Sequence, residues 1–454
     1  MFSYTKSLAS FIARTNFNDL PKSIVKLAKL AILDFLGVCL AGCNTDVGKK
    51  VISFAKELGP QKEATIIGSV KVSAPAAAIA NGFLGKIIEM EDGHRMIPGH
   101  LSITVIPASL SLAEREKVDG KKLITSIVLG YETSIRIAMA AGHARHPYPF
   151  KDACFLPYNT SGTLGAAVAA SKILGLSERE VANALGIAAV YSPMFLWRQR
   201  WFGKDWALGS GLAALNGMLA AMAARNGFEG PEEVMEGPDG FCHIIAQDKD
   251  SVELNKLIEG LGKNFEMANM HFKPHAACRY THAAIDATLS LVREYDIHAE
   301  DVVKVVVKTS SEGALRGQVA KSLYEAQFSI PFVVATAILK RRVSVDEYTA
   351  ENLQDPKLLE LMEKVKVTAD PSLNTYIWPA IVEIETKDGR RYSQRVNFPK
   401  GEPEAPMSEE ELQHKFRYLA RRLLNDERVE KIIETVSALE DLTDVGDLMS
   451  LVLA

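Results

Sequence analysis

The chain is poor in cysteine and has no Cys-x-x-Cys pair. Its five cysteines are scattered over 454 residues: Cys39, Cys43, Cys154, Cys242 and Cys278. A cysteine-rich zinc site needs closely spaced pairs, and a small secreted fold needs a disulfide framework. The pattern argues against both, and it predicts a protein of the reducing cytoplasm.

The sequence also lacks a strong charge of either sign. Its formal net charge is −4 and its pI is about 6.3, with no long basic run and no alternation of aromatic and basic residues. A nucleic-acid surface needs such a basic footprint. Nucleic acid is therefore not an expected partner, and an anionic ligand would need basic residues gathered locally.

Membrane-spanning signals are weak. Residues 206–224 form a stretch of 19 residues without a charge, which approaches the length that crosses a bilayer. Glycine, serine and asparagine dilute this stretch, so we predict a core helix and no membrane partner. The N-terminal segment carries Lys6 and Arg14 inside its apolar pattern, which predicts an amphipathic first helix rather than a signal peptide.

Several familiar catalytic motifs are missing. The sequence has no Walker loop, no G-x-G-x-x-G after a strand, no HExxH and no G-x-S-x-G. Residues 159–165 (NTSGTLG) precede a helical pattern, and their N–H groups and hydroxyls could hold an anion. A plain helix N-cap at Ser161 or Thr163 is the equal alternative.

The most informative segment joins carboxylates to imidazoles. Within twelve residues it holds Glu89, Glu91, Asp92, His94, Arg95 and His100, directly after a small-residue run at 76–84 that predicts a buried helix. Such groups at the edge of an apolar core acquire shifted pKa values and can move protons near neutral pH. The segment therefore favours proton-transfer chemistry over a solvated loop with two surface histidines.

A second cluster complements the first. It comprises His271, Lys273, His275, Cys278, Arg279 and His282, and it also precedes an apolar helical pattern. A cofactor-free proton-transfer site needs a base, an acid and cations that hold a carboxylate-bearing substrate. We therefore expect Asp92, His94 or His100 to lie within about 10 Å of Lys273.

Other uses of these residues stay open. His94 and His100 are six residues apart, which is not a standard helical pair of metal ligands, so we predict no metal site and no cofactor. His282 could be a core histidine, Cys278 a small buried residue, and Arg279 half of a structural ion pair.

Periodicity predicts a mainly α protein with a large all-helical domain and a smaller α+β lid domain. Helical patterns occur at 24–42, 107–114, 122–141, 164–174, 178–191 and 212–226, and later at 282–295, 330–340 and 357–364. Strand patterns occur at 302–309, 365–368, 380–386 and 391–396, the last two joined by a Lys-Asp-Gly-Arg turn. We predict a helical domain at 1–266, a lid at 267–400, and C-terminal helices at 401–454 that return to the helical domain.

Five phrases resemble the MmgE/PrpD family. They are LAKLAILDFLGVCLAG (27–42), ANGFLGKIIEMEDGHR (80–95) with Gly-His at 99–100, TSGTLGAAVAASKILGLSE (160–178), GMLAAMAARNGFEGP (217–231) and FKPHAACRYTHAAIDA (272–287). The resemblance spans nearly the whole chain in the family's order. It implies a helical domain with an α+β lid, a homodimer, a site between the domains and no cofactor.

The resemblance also implies a reaction. The family includes 2-methylcitrate dehydratase, cis-aconitate decarboxylase and iminodisuccinate epimerase. We therefore expect a cofactor-independent lyase or isomerase that removes a proton α to a carboxylate of a di- or tricarboxylic acid, with a 2-methylcitrate dehydratase-like hydro-lyase as the leading form. The alternatives are an epimerase of an imino- or amino-dicarboxylate, a cis-aconitate decarboxylase-like enzyme, and an inactive carboxylate-binding homologue.

The family's phrases carry over to Glu91, Asp92, His100, Lys204, Lys273, Arg279 and His282, and the two clusters themselves add His94 and His275. The expected catalytic residues are Asp92, His94, His100 and Lys273, with Asp92 orienting an imidazole and Lys273 and Arg279 holding carboxylate. The expected substrate contacts are Glu91, Lys204, His275, Arg279 and His282. Four positions depart from the family pattern: Leu101 for proline, Asn159 for histidine, Cys278 for the decarboxylase branch's histidine, and Phe332 for its lid tyrosine.

Overall fold

The computed structural model describes residues 3–97, 99–143, 157–192, 207–237, 239–246, 249–375 and 377–453. The predicted mainly α class is confirmed. The helices of the first half are α1 (Tyr4–Arg14), α2 (Lys22–Cys43), α3 (Asp46–Leu58), α4 (Ala74–Leu84), α5 (Ser102–Glu116), α6 (Gly120–Ala140), α7 (Pro157–Leu174), α8 (Glu178–Val190), α9 (Leu208–Arg225) and α10 (Phe241–Ile245). Helices α4 and α9, and α7 and α9, approach closely at glycines. A Cβ atom at Gly82 would lie 2.9 Å from the Gly211 Cα atom, and one at Gly217 would lie 2.4 Å from the Thr163 carbonyl oxygen.

The second half combines helices with one four-stranded sheet. Its elements are α11 (His282–Glu294), β5 (Val302–Thr309), α12 (Ser311–Ala314), α13 (Leu323–Ala326), α14 (Ile330–Lys340), α15 (Ala350–Gln354), α16 (Pro356–Lys364), β6 (Val365–Ala369), β7 (Ala380–Thr386) and β8 (Arg391–Val396). The strand order is β6-β5-β7-β8, with β5 and β6 parallel and the other pairs antiparallel. Burial alternates along β7 because helices α11, α14 and α16 cover one face.

The chain then returns to the helical body through α17 (Glu409–Ala420), α18 (Asp426–Ser437) and α19 (Val445–Leu451). The largest apolar cluster contains residues from 8–272 together with residues from 412–452. A second cluster contains residues from 277–384 and belongs to the sheet and its helices. Four short strands complete the described fold: β1 (Ala64–Thr65) pairs with β2 (Lys71–Val72), and β3 (Gly93–His94) pairs with β4 (Met270–His271).

Two sequence predictions about helix starts are wrong. Helix α5 begins at Ser102 rather than 107, because Pro107 is accommodated inside the helix. Helix α7 begins at Pro157 rather than 164, so residues 159–165 lie inside it. Asn159, Thr160, Ser161 and Thr163 are buried there, and the Thr163 hydroxyl donates to the Asn159 carbonyl. Ser161 and Thr163 lie inside the helix, so neither is its N-cap.

Among the described residues, one helix is long and apolar enough to span a bilayer. This helix is α6, and 94% of its most apolar window is buried inside the structure. It has the properties of a core helix. The uncharged stretch 206–224 begins outside the described residues, and its described part forms α9, much of which is buried.

Candidate active site

The two clusters predicted from sequence meet on a two-stranded ribbon. Gly93 pairs with His271 and His94 pairs with Met270. The ribbon is close-packed, because a Cβ atom at Gly93 would lie 2.4 Å from the Nε2 atom of His271. Only glycine fits there. The ribbon places residues 89–100 of the helical body beside residues 270–279, which lead into the α+β part.

Four charged side chains form a buried quartet beside this ribbon. Lys86 contacts both Glu89 and Glu91. Lys273 Nζ lies 3.1 Å from Glu89 Oε2 and 3.2 Å from Glu91 Oε1. All four side chains are at most 3% exposed. Burial alone would raise the pKa of Glu89, but the Lys273 and Lys86 ammonium groups lower it strongly.

His100 borders the quartet. Its Nδ1 atom lies 2.6 Å from the main-chain carbonyl of Asp92 and 3.4 Å from Glu91 Oε1. A carbonyl only accepts hydrogen bonds, so Nδ1 carries the proton and the lone pair of the neutral ring is on Nε2. Burial, then Lys86 and Lys273, lower the His100 pKa well below its usual value. The imidazole is therefore neutral at neutral pH and is a competent base.

The distance prediction is confirmed, because His100 and Lys273 both lie within 3.4 Å of the same Glu91 oxygen. Asp92 holds the His100 imidazole through its main-chain carbonyl and not through its carboxylate. Its carboxylate instead accepts from the N–H and hydroxyl of Ser102 and from the hydroxyl of Tyr131. Burial raises the Asp92 pKa to about 6. The Asp92 carbonyl and the Glu91 carboxylate are the groups that face His100.

His94 is buried on the ribbon. Its Nε2 atom lies 3.0 Å from the Glu266 carbonyl, so Nε2 carries the proton. Its Nδ1 atom is buried without a hydrogen-bond partner among the described residues. Burial lowers the His94 pKa to about 4. His94 is thus a second neutral imidazole close to the cluster.

The expected substrate contacts are occupied by protein partners. Arg279 donates to Glu402 and to the carbonyls of Pro399 and Lys400. His282 accepts from Arg279 and donates to the Ala277 carbonyl, which makes it a satisfied core histidine. Burial, then Arg279, lower the pKa of His282 well below its usual value.

Two further substrate contacts were expected from sequence. His275 Nε2 lies 2.9 Å from Asp286 and lines a separate surface groove with Arg293 and Lys400. Lys204 lies outside the described residues.

Sequence reasoning missed three groups. Lys86 belongs to the quartet. Lys415 pairs with the buried carboxylate of Asp34 and donates to the carbonyl of the buried Met90. The hydroxyl of Tyr348 is buried without a hydrogen-bond partner among the described residues, and its ring packs 5.4 Å from that of Phe332. Asp34 was the available signal, because a lone carboxylate inside the apolar pattern at 27–42 requires a buried partner.

The structure shows the neighbours of three residues that depart from the family pattern. Cys278 packs with Tyr280, Phe328 and Trp378, as a small buried residue does. Phe332 is fully buried in the α+β core. Asn159 is buried with its Oδ1 atom lacking a hydrogen-bond partner among the described residues. Neither Cys278 nor Phe332 therefore supplies an acid to the cluster.

Glu91 uses its two oxygens unequally. Oε1 faces Lys86, Lys273 and His100, whereas Oε2 is buried with no hydrogen-bond partner among the described residues. A buried carboxylate oxygen without a donor is costly. The Oε2 atom of Glu91 is thus an acceptor without a donor in the carboxylate that borders His100.

In the described part of the chain, no three His, Cys, Asp or Glu side chains are grouped so that they could hold a metal ion. The charges of the quartet are balanced, with two lysines opposite two glutamates. A buried, charge-balanced cluster beside a neutral imidazole is suited to acid–base chemistry.

Known proteins match both parts of the chain. The MmgE/PrpD N-terminal domain matches residues 6–253, and the MmgE/PrpD C-terminal domain matches residues 275–441. Cis-aconitate decarboxylase of Mus musculus is 28% identical over 468 residues, which cover 99% of this chain and 93% of that protein. The Homo sapiens protein of the same name is 28% identical over 462 residues, covering 99% and 94%. That of Aspergillus terreus is 25% identical over 475 residues, covering 98% and 95%.

Proposed function

This chain belongs to the MmgE/PrpD family, and from that premise we propose that it is a lyase that removes a proton α to a carboxylate of a hydroxylated di- or tricarboxylic acid and expels water. The decarboxylases among its relatives support a lyase. The observation that carries the finer proposal is the base His100 beside the unpartnered oxygen of Glu91.

His100 is the proposed base. Its Nδ1–H is held by the Asp92 carbonyl, so Nε2 takes the substrate proton. As the ring becomes positive, the Glu91 carboxylate 3.4 Å from Nδ1 stabilises it. The same proton can then be returned to the departing hydroxyl, which leaves as water.

Lys273 is proposed to stabilise the enolate-like charge of the transition state. Its ammonium faces three protein acceptors, Glu89 Oε2, Glu91 Oε1 and the Glu89 carbonyl, at 3.1–3.3 Å. These contacts are longer than the 2.7–2.9 Å that is typical of charge-assisted bonds. A substrate carboxylate can therefore compete with these protein groups for the Lys273 ammonium. A preorganised cation in a site that excludes water stabilises a transition state by roughly 3 kcal/mol or more.

Glu91 favours a substrate that carries a donor. A hydroxyl on the substrate would satisfy Oε2, whereas an unsaturated acid with ionised carboxylates offers no hydrogen to it. This supports dehydration of a hydroxy acid over decarboxylation of an unsaturated one. An ammonium group would satisfy Oε2 equally well, which favours an epimerase of an amino-dicarboxylate as the second candidate function.

Proton exchange in D₂O tests the proposal. A panel of citrate-like hydroxy acids, cis-aconitate and aspartate would be incubated with the protein and followed by NMR. We expect deuterium at the α-carbon and an alkene product only from a hydroxy acid. Release of carbon dioxide from cis-aconitate would instead assign the decarboxylase reaction. Binding without exchange for every acid would assign a catalytically inactive homologue.

The remaining features of the proposal are the absence of a cofactor, a cytoplasmic location and a homodimer. Activity should survive exhaustive chelation, since no described group of side chains has metal-ligand geometry. Stoichiometric zinc or iron whose removal abolishes turnover would contradict the cofactor-free proposal. Sedimentation equilibrium measures the oligomeric state directly.

A further inference from the structure

Glu402 lies where three parts of the chain meet. Its side chain is fully buried. Oε1 accepts from Arg279 at 2.6 Å and 3.1 Å, and Oε2 accepts from Arg95 at 2.9 Å and 3.2 Å. Arg95 belongs to the segment that leads to His100, and Arg279 follows Lys273 toward the sheet. One carboxylate thus fastens both sides of the candidate site.

The ribbon residue His271 touches the same carboxylate. Its Nδ1 atom lies 3.2 Å from Glu402 Oε1. Burial, then Arg279, hold the His271 pKa well below its usual value, so the ring is neutral. The Nε2 edge of its ring packs against Gly93, where an added Cβ atom would lie 2.4 Å from Nε2. Neither ring nitrogen has a hydrogen-bond partner among the described residues, so His271 lies between Glu402 and Gly93 as a packing contact.

The backbone around Glu402 is fitted just as closely. Gly401 has a φ of +100°, and a Cβ atom there would lie 1.9 Å from the Phe272 carbonyl. The Phe272 N–H donates to the Gly401 carbonyl. The segment that carries Glu402 thus lies directly against Phe272, the residue before Lys273. Only glycine at position 401 permits this approach.

We propose that Glu402 is a positioning residue for the reaction: by holding Arg95 and Arg279 together, with His271 packed beside it, it fixes His100 relative to the Glu91–Lys273 pair. This proposal rests on the proposed function, since His100 is taken as the base. Lys273 keeps its own contacts with Glu89 and Glu91. Loss of Glu402 should therefore disturb proton transfer more than substrate binding.

The chain offers a matched control. Glu404 contacts the outer side of Arg95 and is partly exposed, whereas Glu402 is enclosed. Glu404→Gln removes the same charge from the same arginine and leaves Arg279 and His271 untouched. Glu402→Asp keeps the charge but shortens the side chain. Glu404→Gln thus tests the loss of a charge beside Arg95, Glu402→Gln tests the loss of the charge that also contacts Arg279, and Glu402→Asp tests the length of the side chain.

Steady-state α-proton exchange gives the first test. In Glu402→Gln, we expect kcat per folded molecule to fall at least about tenfold, since a displacement near 1 Å costs up to about a hundredfold, while KM changes less than threefold. Glu404→Gln should match the parent, and Glu402→Asp should recover part of the rate. An unchanged kcat in Glu402→Gln, or an equal fall in Glu404→Gln, would overturn the proposal.

Backbone hydrogen exchange gives a second test that needs no activity. Peptides that cover 93–100 should exchange faster in Glu402→Gln than in the parent or in Glu404→Gln. If Glu402→Gln does not fold, Arg95→Met is the second variant. It removes the contact between Glu402 and the helical body at a side chain that is less buried than Glu402, and it should show the same fall in kcat. A parent protein that exchanges no α-proton defeats the proposed function, and unaltered amide exchange in Glu402→Gln separately defeats the role of Glu402.

Discussion

Lys273 and His100 share one neighbour: the Oε1 atom of Glu91 lies 3.2 Å from the Lys273 ammonium and 3.4 Å from His100 Nδ1. A cation and a base are thus coupled through one carboxylate. The positive charge of Lys273 helps to keep His100 neutral. In the proposed reaction, the negative charge of Glu91 would stabilise the imidazolium. The quartet therefore sets the charge state of the base before a substrate arrives.

The first prediction separates rate from binding. His100→Ala should leave the dissociation constant for a hydroxy acid nearly unchanged and lower the exchange rate by about 10² or more, the scale of one lost acid–base group. Lys273→Ala should also weaken binding, because losing a charge-assisted contact costs roughly 1.5–3 kcal/mol. Calorimetry and NMR exchange on both variants measure these effects. An unchanged rate in His100→Ala would transfer the role of base to His94.

The second prediction concerns Asp92 and pH. Burial raises its pKa from 3.8 to about 6, so the folded state binds this proton more tightly than the unfolded state. The resulting stabilisation, roughly 3 kcal/mol for a shift of about two units, is complete below pH 4 and is lost as pH rises through 6. Asp92→Asn should remove this decline. Urea unfolding of both proteins from pH 4 to 7.5 measures it.

Asp286 is a partly buried carboxylate whose pKa shift has the opposite sign, and it therefore serves as the comparison for that experiment. Burial would raise its pKa, but His275 and the Lys400 N–H lower it overall. Its stabilisation is therefore present above the unfolded pKa and lost as pH falls, which is the opposite sign. A difference between the parent and Asp92→Asn that does not vary with pH would contradict the second prediction.

The third prediction concerns the ion pair behind the site. Lys415 Nζ forms an ion pair with Asp34 at 2.6 Å and donates to the carbonyl of Met90 at 2.7 Å. Met90 lies between Glu89 and Glu91 in the chain. Lys415→Met should destabilise the fold by about 3–5 kcal/mol, because it leaves a buried carboxylate unpaired. Adding Asp34→Asn should restore much of the stability but not the activity, since the Met90 contact stays lost. Full recovery of activity in the double variant would contradict this.

Much of the fold could be predicted from the sequence, because it depends on local patterns. Helix α14 has the predicted bounds, and the β7–β8 hairpin forms around Asp388-Gly389 as expected. The start of α5 was misplaced because Pro107 signals a first turn, yet here the helix accommodates it. Residues 159–165 have loop-forming residue types, but tertiary burial places them inside α7.

The site was predicted only in outline. Chemical type identified the two clusters, and their meeting is confirmed by the β3–β4 ribbon. Pairing partners were not predictable, because Asp34 and Lys415 are distant in sequence and Glu402 lies in a segment without a motif. A single sequence shows which charged residues are present, but only the fold shows which of them are buried and must therefore pair with one another. Arg279 and His282 were predicted to contact substrate, and the structure shows them bonded to protein groups.

The fourth prediction uses the depressed pKa of His100. Because the pKa of His100 in the ligand-free protein lies well below 6.5, the base form persists as pH falls, and kcat/KM should stay level from pH 8 to about 6.5, the ordinary value for histidine. Lys86 is one cause of this shift, so Lys86→Met should raise the His100 pKa and move the acid limb of the kcat/KM profile to higher pH. Profiles of kcat/KM, which report the free enzyme, test this. An acid limb at the same pH in both proteins would contradict it.

The fifth prediction assigns a function to Tyr348. Its hydroxyl is buried without a hydrogen-bond partner among the described residues, and burial, then Glu347 and Glu89, raise its pKa well above the usual value. Tyr348→Phe removes no described hydrogen bond, so the free energy of unfolding should not fall. If this hydroxyl donates to a substrate carboxylate, kcat/KM should fall by about tenfold or more.

Phe332 supplies the matched comparison for Tyr348, since the two rings are neighbours 5.4 Å apart. Phe332→Leu keeps the Tyr348 hydroxyl but loosens a fully buried contact, so it should lower stability by roughly 1–3 kcal/mol with a smaller effect on kcat/KM. Thermal unfolding and α-proton exchange on both variants complete the comparison. Full activity in Tyr348→Phe would remove the hydroxyl from substrate recognition, because a donor that contacts substrate cannot be deleted without a change in kcat/KM.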